Sequence, residues 1–545
     1  MRRLIPLVTD APLYLVVSIT AAPLLVILFS WWTPVDDIFI HLFKTGLSEV
    51  MINTMWLLLG VGIGTTVLGV SLAWFTTTFD FPGRSFFDWA LVLPLAIPTY
   101  VLAFVSLSLF DRTGPIQQFL WEQGSGVILP PIRSTGGIIW VMTLALYPYV
   151  YLFARNGFQT QGVRANEVAR SLGKHPMVTL FKITLPMSRP MIISGLMLVL
   201  METLSDFGAV SIFNYDTFTT TIYKAWFSLF SLNAAAKFSS FLVLLVFCLV
   251  FLEEAARRRR RYTPADKPPA PVVRTALTGI PRIGVAIYCI IILLFAFIIP
   301  VVELFNKASM GFDSFRGGRS AFDLRYLGLL NRSILLATMA ALLTTGLGLL
   351  LVYSERISAQ LAADAPLKTS LLVRFATLGY ALPGTILAVG GIMLVTFIDH
   401  RLTNGLGITG SLMTGTISAM MLGYLSRFIV LSYNSINVAM VRITPHISEA
   451  ARSLGATPLR IMRKIQIPLV RGGIFSGALL VFVDVMKEMP ITLMTRPFGW
   501  DTLAVQIFQF TSEGSWEQAA LPSLTLVFLG LIPVILLTRP TRFRH

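Results

Sequence analysis

One stretch of this chain occurs twice, and the two copies lie a fixed distance apart. The first runs from Glu167 to Pro186 and begins Glu-Val-Ala-Arg-Ser-Leu-Gly. The second runs from Glu449 to Pro468 and begins Glu-Ala-Ala-Arg-Ser-Leu-Gly. The step from one copy to the other, called the repeat offset below, is the same at both ends of the stretch and close to half of the chain. The sequence therefore predicts a tandem duplication, in which each half must form a similar fold.

The chain around these copies is too apolar for a soluble protein of this size, since hydrophobic residues make up 55% and charged residues only 13%. Runs of about 20 apolar residues, each long enough to span a bilayer as a helix, occur at twelve places. We predict an all-α polytopic membrane protein with about twelve transmembrane helices in two pseudo-symmetric six-helix halves. The predicted spans are 12–33, 53–75, 87–110, 136–153, 191–213, 238–253, 282–303, 331–353, 370–397, 411–432, 473–496 and 521–538.

The halves are predicted to be residues 1–253 and 282–545, joined by a linker at 254–281. The linker carries five consecutive arginines and then a proline-rich run, a composition that stays extended and solvated. The two cysteines, Cys248 and Cys289, lie far apart in predicted spans, which favours neither a disulfide framework nor a metal site. The five histidines show no metal-ligand spacing.

The distribution of lysine and arginine sets the predicted orientation, because short loops rich in these residues stay in the cytoplasm. Twelve spans place both termini, both repeated loops and the arginine run of the linker on that side. The net charge of +16 then follows from topology and from contact with anionic lipid, and nucleic acid is not an expected partner.

Each repeated loop is predicted to form a helix, a tight turn and a second helix outside the membrane. In the second copy, Thr444-Pro445 starts the first helix, Gly455 closes it in the left-handed conformation, and Thr457-Pro458 starts the next. Small and acidic residues of both copies form a shallow surface for a partner protein. These candidate contact residues are Glu167, Ala169 and Gly173 in the first copy and Glu449, Ala450, Ala451 and Gly455 in the second.

These loop residues resemble the cytoplasmic loop of binding-protein-dependent ABC importer permeases, which docks into a groove on each ATPase subunit. The stretches Ser205–Trp226 and Lys487–Gly499 look like the ferric-iron branch of that family. The resemblance implies a fused permease of a bacterial inner membrane with two six-span permease units. It implies two copies of an ABC ATPase subunit and a periplasmic substrate-binding protein as partners, no covalently bound cofactor, and Fe(III) as the transported ion.

The chain itself is not expected to be an enzyme. No Gly-x-x-x-x-Gly-Lys-Ser/Thr sequence occurs in it, because Gly173-Lys174 lacks both the upstream glycine and the following hydroxyl residue. ATP must therefore be used by a separate subunit.

Four acidic residues fall within predicted spans, where a charge is costly unless it faces a cavity or a partner. Glu202 and Asp206 are close enough in the fifth predicted span to share one helix face. The repeat offset carries them to Asp484 and Glu488 in the eleventh. Four carboxylates around a translocation path suit a hard, highly charged cation, so all four residues are candidate substrate ligands and transient metal ligands.

Alternatives remain open from the sequence. Lys487 and a neighbouring arginine or backbone dipole could neutralise the acids, which would make them structural struts at the interface. A polyamine or thiamine is a rival substrate. A twelve-helix secondary transporter is a rival class, since Asp111-Arg112-Thr113-Gly114 resembles a loop of the major facilitator group, although that loop should be cytoplasmic and this one is predicted outside. A structural membrane scaffold gives no reason for two matched acid pairs.

The predicted topology can be tested with single cysteines introduced at Pro269 and at Asp501 in a variant lacking Cys248 and Cys289. A membrane-impermeant thiol reagent applied to intact spheroplasts should label only the cysteine at 501, because residue 269 is predicted to lie in the cytoplasm. Detergent-permeabilised cells, in which both should react, are the control. Labelling at 269 in intact spheroplasts would show that the span count is wrong.

Overall fold

The computed structural model describes residues 5–124, 126–162, 175–258, 274–314, 324–361, 365–407 and 411–538. These residues are mostly helical. Two short strands, β1 (Phe79–Asp80) and β2 (Thr275–Ala276), pair in parallel. The helices of the first half are α1 (Ile5–Phe29), α2 (Asp37–Thr45), α3 (Leu47–Thr78), α4 (Arg84–Ala90), α5 (Thr99–Phe110), α6 (Pro115–Glu122), α7 (Thr135–Gly157), α8 (Pro176–Thr179), α9 (Leu185–Ser205), α10 (Gly208–Ile212), α11 (Phe218–Phe227) and α12 (Leu232–Arg258).

The second half repeats the helical pattern. Its helices are α13 (Ile280–Leu293), α14 (Ile299–Ser314), α15 (Leu324–Leu361), α16 (Ala365–Thr377), α17 (Gly384–Leu406), α18 (Ser418–Val441), α19 (Pro445–Ser453), α20 (Pro458–Ile461), α21 (Ile467–Lys487), α22 (Pro490–Thr495), α23 (Leu503–Ser512) and α24 (Trp516–Thr538). Short 3₁₀ turns occupy Ser30–Trp32, Leu93–Ala96 and Leu378–Ala381, and π-helical turns occupy Phe158–Gly162, Leu180–Thr184, Leu294–Ile298 and Met462–Gln466.

The all-α polytopic prediction is confirmed. Ten helices of the described residues are long and apolar enough to cross a membrane. The predicted span 87–110 is a helix pair bent by 92° between Arg84–Ala96 and Thr99–Glu122. The predicted span 411–432 overlaps helix α18. Two predicted spans are wrong at their C-terminal ends, because α9 ends at Ser205 and α21 ends at Lys487, short of residues 213 and 496. The predicted span 370–397 is wrong as a single helix, because α16 ends at Thr377 and α17 begins only at Gly384.

The duplication is visible in the backbone around these two helix ends. The repeat offset relates the starts of helices α8 and α20, of the π-helical turns that follow them, of the long helices α9 and α21, and of the short helices α10 and α22. An unusual local feature such as a π-helical turn, kept at the same place in both halves, indicates that both sequences follow one structural plan.

Each half contains a matched group of three packed helices. Helices α3, α7 and α9 pack against one another in the first half, and α15, α18 and α21 do so in the second. Glycines permit the close approach of backbones at these crossings. A Cβ atom added at Gly195 of α9 would lie 3.1 Å from Val150 Cα, and one added at Gly477 of α21 would lie 3.0 Å from Ser432 Cα.

Contacts divide the chain into two compact units that differ from the linear halves. The N-half unit comprises Leu42–Thr221, Phe241–Ala321 and Gln506–His545, and the C-half unit comprises Met1–His41, Ile222–Ser240 and Phe322–Val505. The predicted boundaries at 253 and 282 refer to the duplicated sequence rather than to these compact units, and they stay a prediction. Part of the predicted linker has regular structure, since α12 extends to Arg258 and β2 pairs with β1; residues 259–273 lie outside the described residues.

Helix α1 contributes to the core of the C-half unit. Leu13 and Val16 are buried and belong to one apolar cluster with Leu351 of α15, Ala376 of α16 and Ile429 of α18. The first predicted span is therefore a packed part of the fold.

The close crossing of α3 and α7 leads to a prediction about Gly69. An added Cβ would lie 2.7 Å from Val150 Cβ and 2.8 Å from the Tyr151 nitrogen, so Gly69→Ala should lower stability by roughly 1–3 kcal/mol through overpacking. Gly346→Ala on α15 is the matched control, because its added Cβ meets none of the described residues outside its own helix within 4 Å. Thermal unfolding of the detergent-solubilised protein is the measurement. Equal melting temperatures for the two variants would contradict the packing argument.

Candidate coupling loop and acid-capped helix breaks

The second repeated loop has the structure that its sequence predicts. Helix α19 begins at Pro445 and ends at Ser453, and α20 begins at Pro458. Gly455 has a φ of 76°, in the left-handed region. The Ala456 nitrogen donates to the Ala451 oxygen at 3.0 Å, which is the six-to-one bond of a Schellman turn. Thr444 precedes the helix as predicted, but its hydroxyl caps none of the described backbone N–H groups.

The exposed surface of this loop differs in part from the expected one. Glu449 and Ala450 are exposed, and the Glu449 carboxylate lies 3.3 Å from Nδ1 of His446. Ala451 is buried, so it does not lie on the expected contact surface. Leu454 is 87% exposed beside Gly455 and is a candidate apolar contact residue that the sequence reasoning missed. A leucine directly before a capping glycine in an otherwise polar loop is the sequence signal that could have found it.

The corresponding residues of the first copy, Glu167, Ala169 and Gly173, lie outside the described residues. The structure resumes at His175, whose ring nitrogen accepts from the Met177 backbone at the start of α8.

A side-chain clamp fixes the point where the second loop leaves α18. Arg356 of α15 donates to the Met440 oxygen at 2.9 Å and to the Ile443 oxygen at 2.7 Å. Earlier in α18, the Tyr433 hydroxyl donates to the Glu355 carboxylate at 2.6 Å. The two Arg356 bonds satisfy carbonyl groups at the C-terminus of α18, and together with the Tyr433 bond they orient the second repeated loop relative to α15.

Asp206 is not on a helix face, as the sequence suggested, but at a break between helices. Helix α9 ends at Ser205, and Asp206 has extended backbone angles. One carboxylate oxygen accepts from the backbone nitrogens of Ala209 at 2.9 Å and Val210 at 3.3 Å, and the other accepts from the Thr99 hydroxyl. Asp206 therefore ends one helix and caps the next, α10.

Glu488 plays the same role at the equivalent position of the second half. It follows the end of α21 with similar backbone angles, and its side chain accepts from the Ile491 nitrogen at 2.9 Å and the Thr492 nitrogen at 3.1 Å. The Thr492 hydroxyl also donates to the Glu488 carboxylate and lies 2.5 Å from the hydroxyl of Tyr424. The carboxylate is buried and accepts these bonds from groups of its own loop.

The other two acids lie one turn earlier, on the long helices. Glu202 is half-buried on α9, and Asp484 is half-buried on α21. Asp484 interacts electrostatically with Lys487 and with Arg427 of α18, and Glu488 also interacts with Arg427. The second pair therefore has the basic neighbours that the strut interpretation requires.

No group of three or more Asp, Glu, His or Cys side chains in the described part of the chain is arranged to hold a metal ion. A contact of these acids with a passing cation stays a prediction, and the cation would be cargo rather than a resident metal.

Comparisons with known proteins place these features in a family. The family model "Binding-protein-dependent transport system inner membrane component" matches residues 65–261 and again residues 361–541. An Fe(3+)-transport system permease protein of Haemophilus influenzae is 28% identical over 501 residues, covering 91% of each chain. A probable ABC transporter permease protein of Sinorhizobium fredii is 22% identical, covering 88% of this chain and 84% of its own. A sulfate transport system permease protein of Escherichia coli is 28% identical over 35% of this chain and 68% of its own.

The hydroxyl that donates to Asp206 gives a test of the capping geometry. Thr99→Val should lower the melting temperature of the solubilised protein, since a partly buried carboxylate loses a donor at a cost of about 1–3 kcal/mol. Thr99→Ser keeps the hydroxyl and is the control. A valine variant as stable as the serine variant would show that this bond does not support the break.

Proposed function

Since the chain belongs to the family of binding-protein-dependent transport system inner membrane components, we propose that it is the permease of an ABC importer for ferric iron. It receives the ion from a periplasmic binding protein and releases it in the cytoplasm. The observation that supports ferric iron as the substrate is the similarity to an Fe(3+)-transport permease. This similarity extends over 91% of both chains and so includes both halves. The chain is a multi-pass protein of the bacterial inner membrane with both termini in the cytoplasm.

Two ABC ATPase subunits supply the energy, one at each repeated loop. The structure of the second loop supports this role. A helix closed by a Schellman turn presents Glu449, Ala450 and Leu454 to solvent there. Arg356 fixes this loop to α15, so a force applied at α19 passes directly into the long helices. Glu167, Ala169 and Gly173 are assigned the same role through the repeat.

The acids suit a ferric cargo. A hard trivalent cation prefers oxygen ligands, and its charge offsets the cost of desolvating carboxylates near the path. Thiamine or a polyamine is the alternative substrate class. A secondary transporter is disfavoured by family membership. The similarity to a sulfate permease is only weak support for a different substrate, because it covers 35% of this chain.

The substrate can be tested in proteoliposomes that contain the permease with its ATPase, supplied with the ferric-loaded binding protein. ATP-dependent accumulation of radioactive iron is expected, with no competition from thiamine, spermidine or sulfate. Proteoliposomes with ATP replaced by a non-hydrolysable analogue are the control. ATP-dependent uptake of one of the competing solutes in place of iron would overturn the ferric assignment while keeping the importer.

The coupling role of the second loop gives a prediction at Gly455. Its φ of 76° disfavours a β-branched residue, although an added Cβ meets no other described residue within 4 Å beyond the chain neighbours. Gly455→Val should therefore distort the turn without a steric clash, reducing iron uptake about tenfold or more and uncoupling ATP hydrolysis. Gly455→Asn, which tolerates the left-handed region, should retain most activity. Normal uptake and normal ATPase binding in the valine variant would remove this loop from the coupling mechanism.

A further inference from the structure

The residue that follows a matched proline differs between the two halves. Thr99 follows Pro98 at the start of α5, and Gly384 follows Pro383 at the start of α17. Each proline comes shortly after a four-residue 3₁₀ turn and directly precedes its helix. The two positions are therefore equivalent, but one carries a hydroxyl side chain and the other none.

A second difference lies on the next matched helices, α7 and α18. The repeat offset pairs Tyr151 with Tyr433 and Ala145 with Arg427. The packing supports this register, because Gly69 approaches Val150 and Tyr151 just as Gly348 approaches the equivalent residues of α18. A small buried residue in the first half is thus replaced by a guanidinium in the second.

The two differences compensate for each other in space. A Cβ at Gly384 would lie 2.7 Å from Nη1 of Arg427 and 2.8 Å from Oε1 of Glu488. The space that the Thr99 side chain fills beside Asp206 in the first half is therefore needed for Arg427 beside Glu488 in the second. A side chain at 384 would have to displace the guanidinium or the carboxylate, which occupy its volume.

This difference in side chains between the two halves gives the two helix breaks different charges. The Asp206 donors given by the described residues are neutral, a hydroxyl and two backbone N–H groups. Glu488 has similar neutral donors and, in addition, the Arg427 charge. Nε and Nη1 of Arg427 are buried without a hydrogen-bond partner in the described part of the chain, so the nearby carboxylates must offset the cost of burying this cation.

We propose that Arg427, accommodated by Gly384, is a positioning residue that neutralises Glu488 and holds the second break, and that attraction of the cationic cargo falls to Asp206 in the first half. The two breaks then differ in charge although the fold is duplicated. This inference rests on the proposed ferric transport for its second part, whereas the positioning role of Arg427 can be measured independently of the cargo.

The positioning role of Arg427 can be tested by giving the second half the side chains that the first half has at the equivalent positions. Arg427→Ala should lower membrane abundance and thermal stability, because Glu488 loses its counter-charge, and Gly384→Thr should do so because its side chain collides with Arg427 and Glu488. The double variant Gly384→Thr with Arg427→Ala removes the guanidinium, so the Glu488 carboxylate can move into the vacated space and accept from the introduced hydroxyl, as Asp206 accepts from Thr99, and abundance should recover. A double variant no better than the sum of the two single losses would overturn the positioning role.

The role of Asp206 can be tested by giving the first half the side chains that the second half has at the equivalent positions. Thr99→Gly with Ala145→Arg brings a guanidinium to Asp206 and should reduce the initial rate of ferric uptake at least tenfold at normal abundance and normal ATPase binding. Thr99→Gly with Ala145→Met supplies similar bulk without charge and should lose clearly less. Equal loss in the arginine and methionine variants would show that bulk rather than charge is responsible, which would overturn the proposed asymmetry.

Failure of the proposed ferric transport and failure of the proposed asymmetry would give different results. If the wild-type permease moves no ferric iron, the proposed function fails, and the abundance measurements on Gly384 and Arg427 still decide the positioning role. If iron is transported but the arginine variant at 145 transports it normally, the ferric permease stands and the cargo role of Asp206 is refuted.

Discussion

The structure depends on how backbone groups are satisfied where long apolar helices stop. Unpaired N–H and C=O groups in an apolar environment are costly, so a helix can end there only if other groups replace the lost bonds. Asp206 and Glu488 do this by ending one helix and accepting from the first N–H groups of the next. Two carboxylates that look like isolated charges in apolar sequence are thus first of all caps, and any contact with cargo uses groups that the fold already holds in place.

The duplication constrains these caps more strongly than it constrains the surrounding sequence. The repeat offset is kept from α8 to the start of α10, including a π-helical turn, while the side chains around each break have diverged. In the second half Gly384 lies beside Arg427, and both positions have diverged, because their equivalents in the first half are Thr99 and Ala145. Such paired exchange is expected where close packing leaves room for only one of two side chains.

Much of the fold could be predicted from the sequence, because bilayer thickness and apolar run length are directly related. The structure of the second repeated loop was also predictable, since Pro445, Gly455 and Pro458 have strong local preferences. The exact ends of α9 and α21 were not, because apolar residues continue past both breaks and only tertiary capping stops the helices. Asp206 was for the same reason assigned to a helix face. The arginines that hold α18 and its neighbours were missed because their partners lie far away in the sequence.

The clamp at Arg356 connects the second repeated loop to the same helices that carry the acid-capped break. Arg356 of α15 holds the end of α18, and α18 also supplies Tyr433 to Glu355 and Arg427 to Glu488. Helix α18 is therefore fixed at its C-terminal end by carbonyl contacts and farther along by a buried charge. A displacement of the second repeated loop relative to α15 must break the carbonyl contacts or move α18 as a body. In the second case Arg427 shifts relative to Glu488, which makes the counter-charge of the break sensitive to the position of this loop.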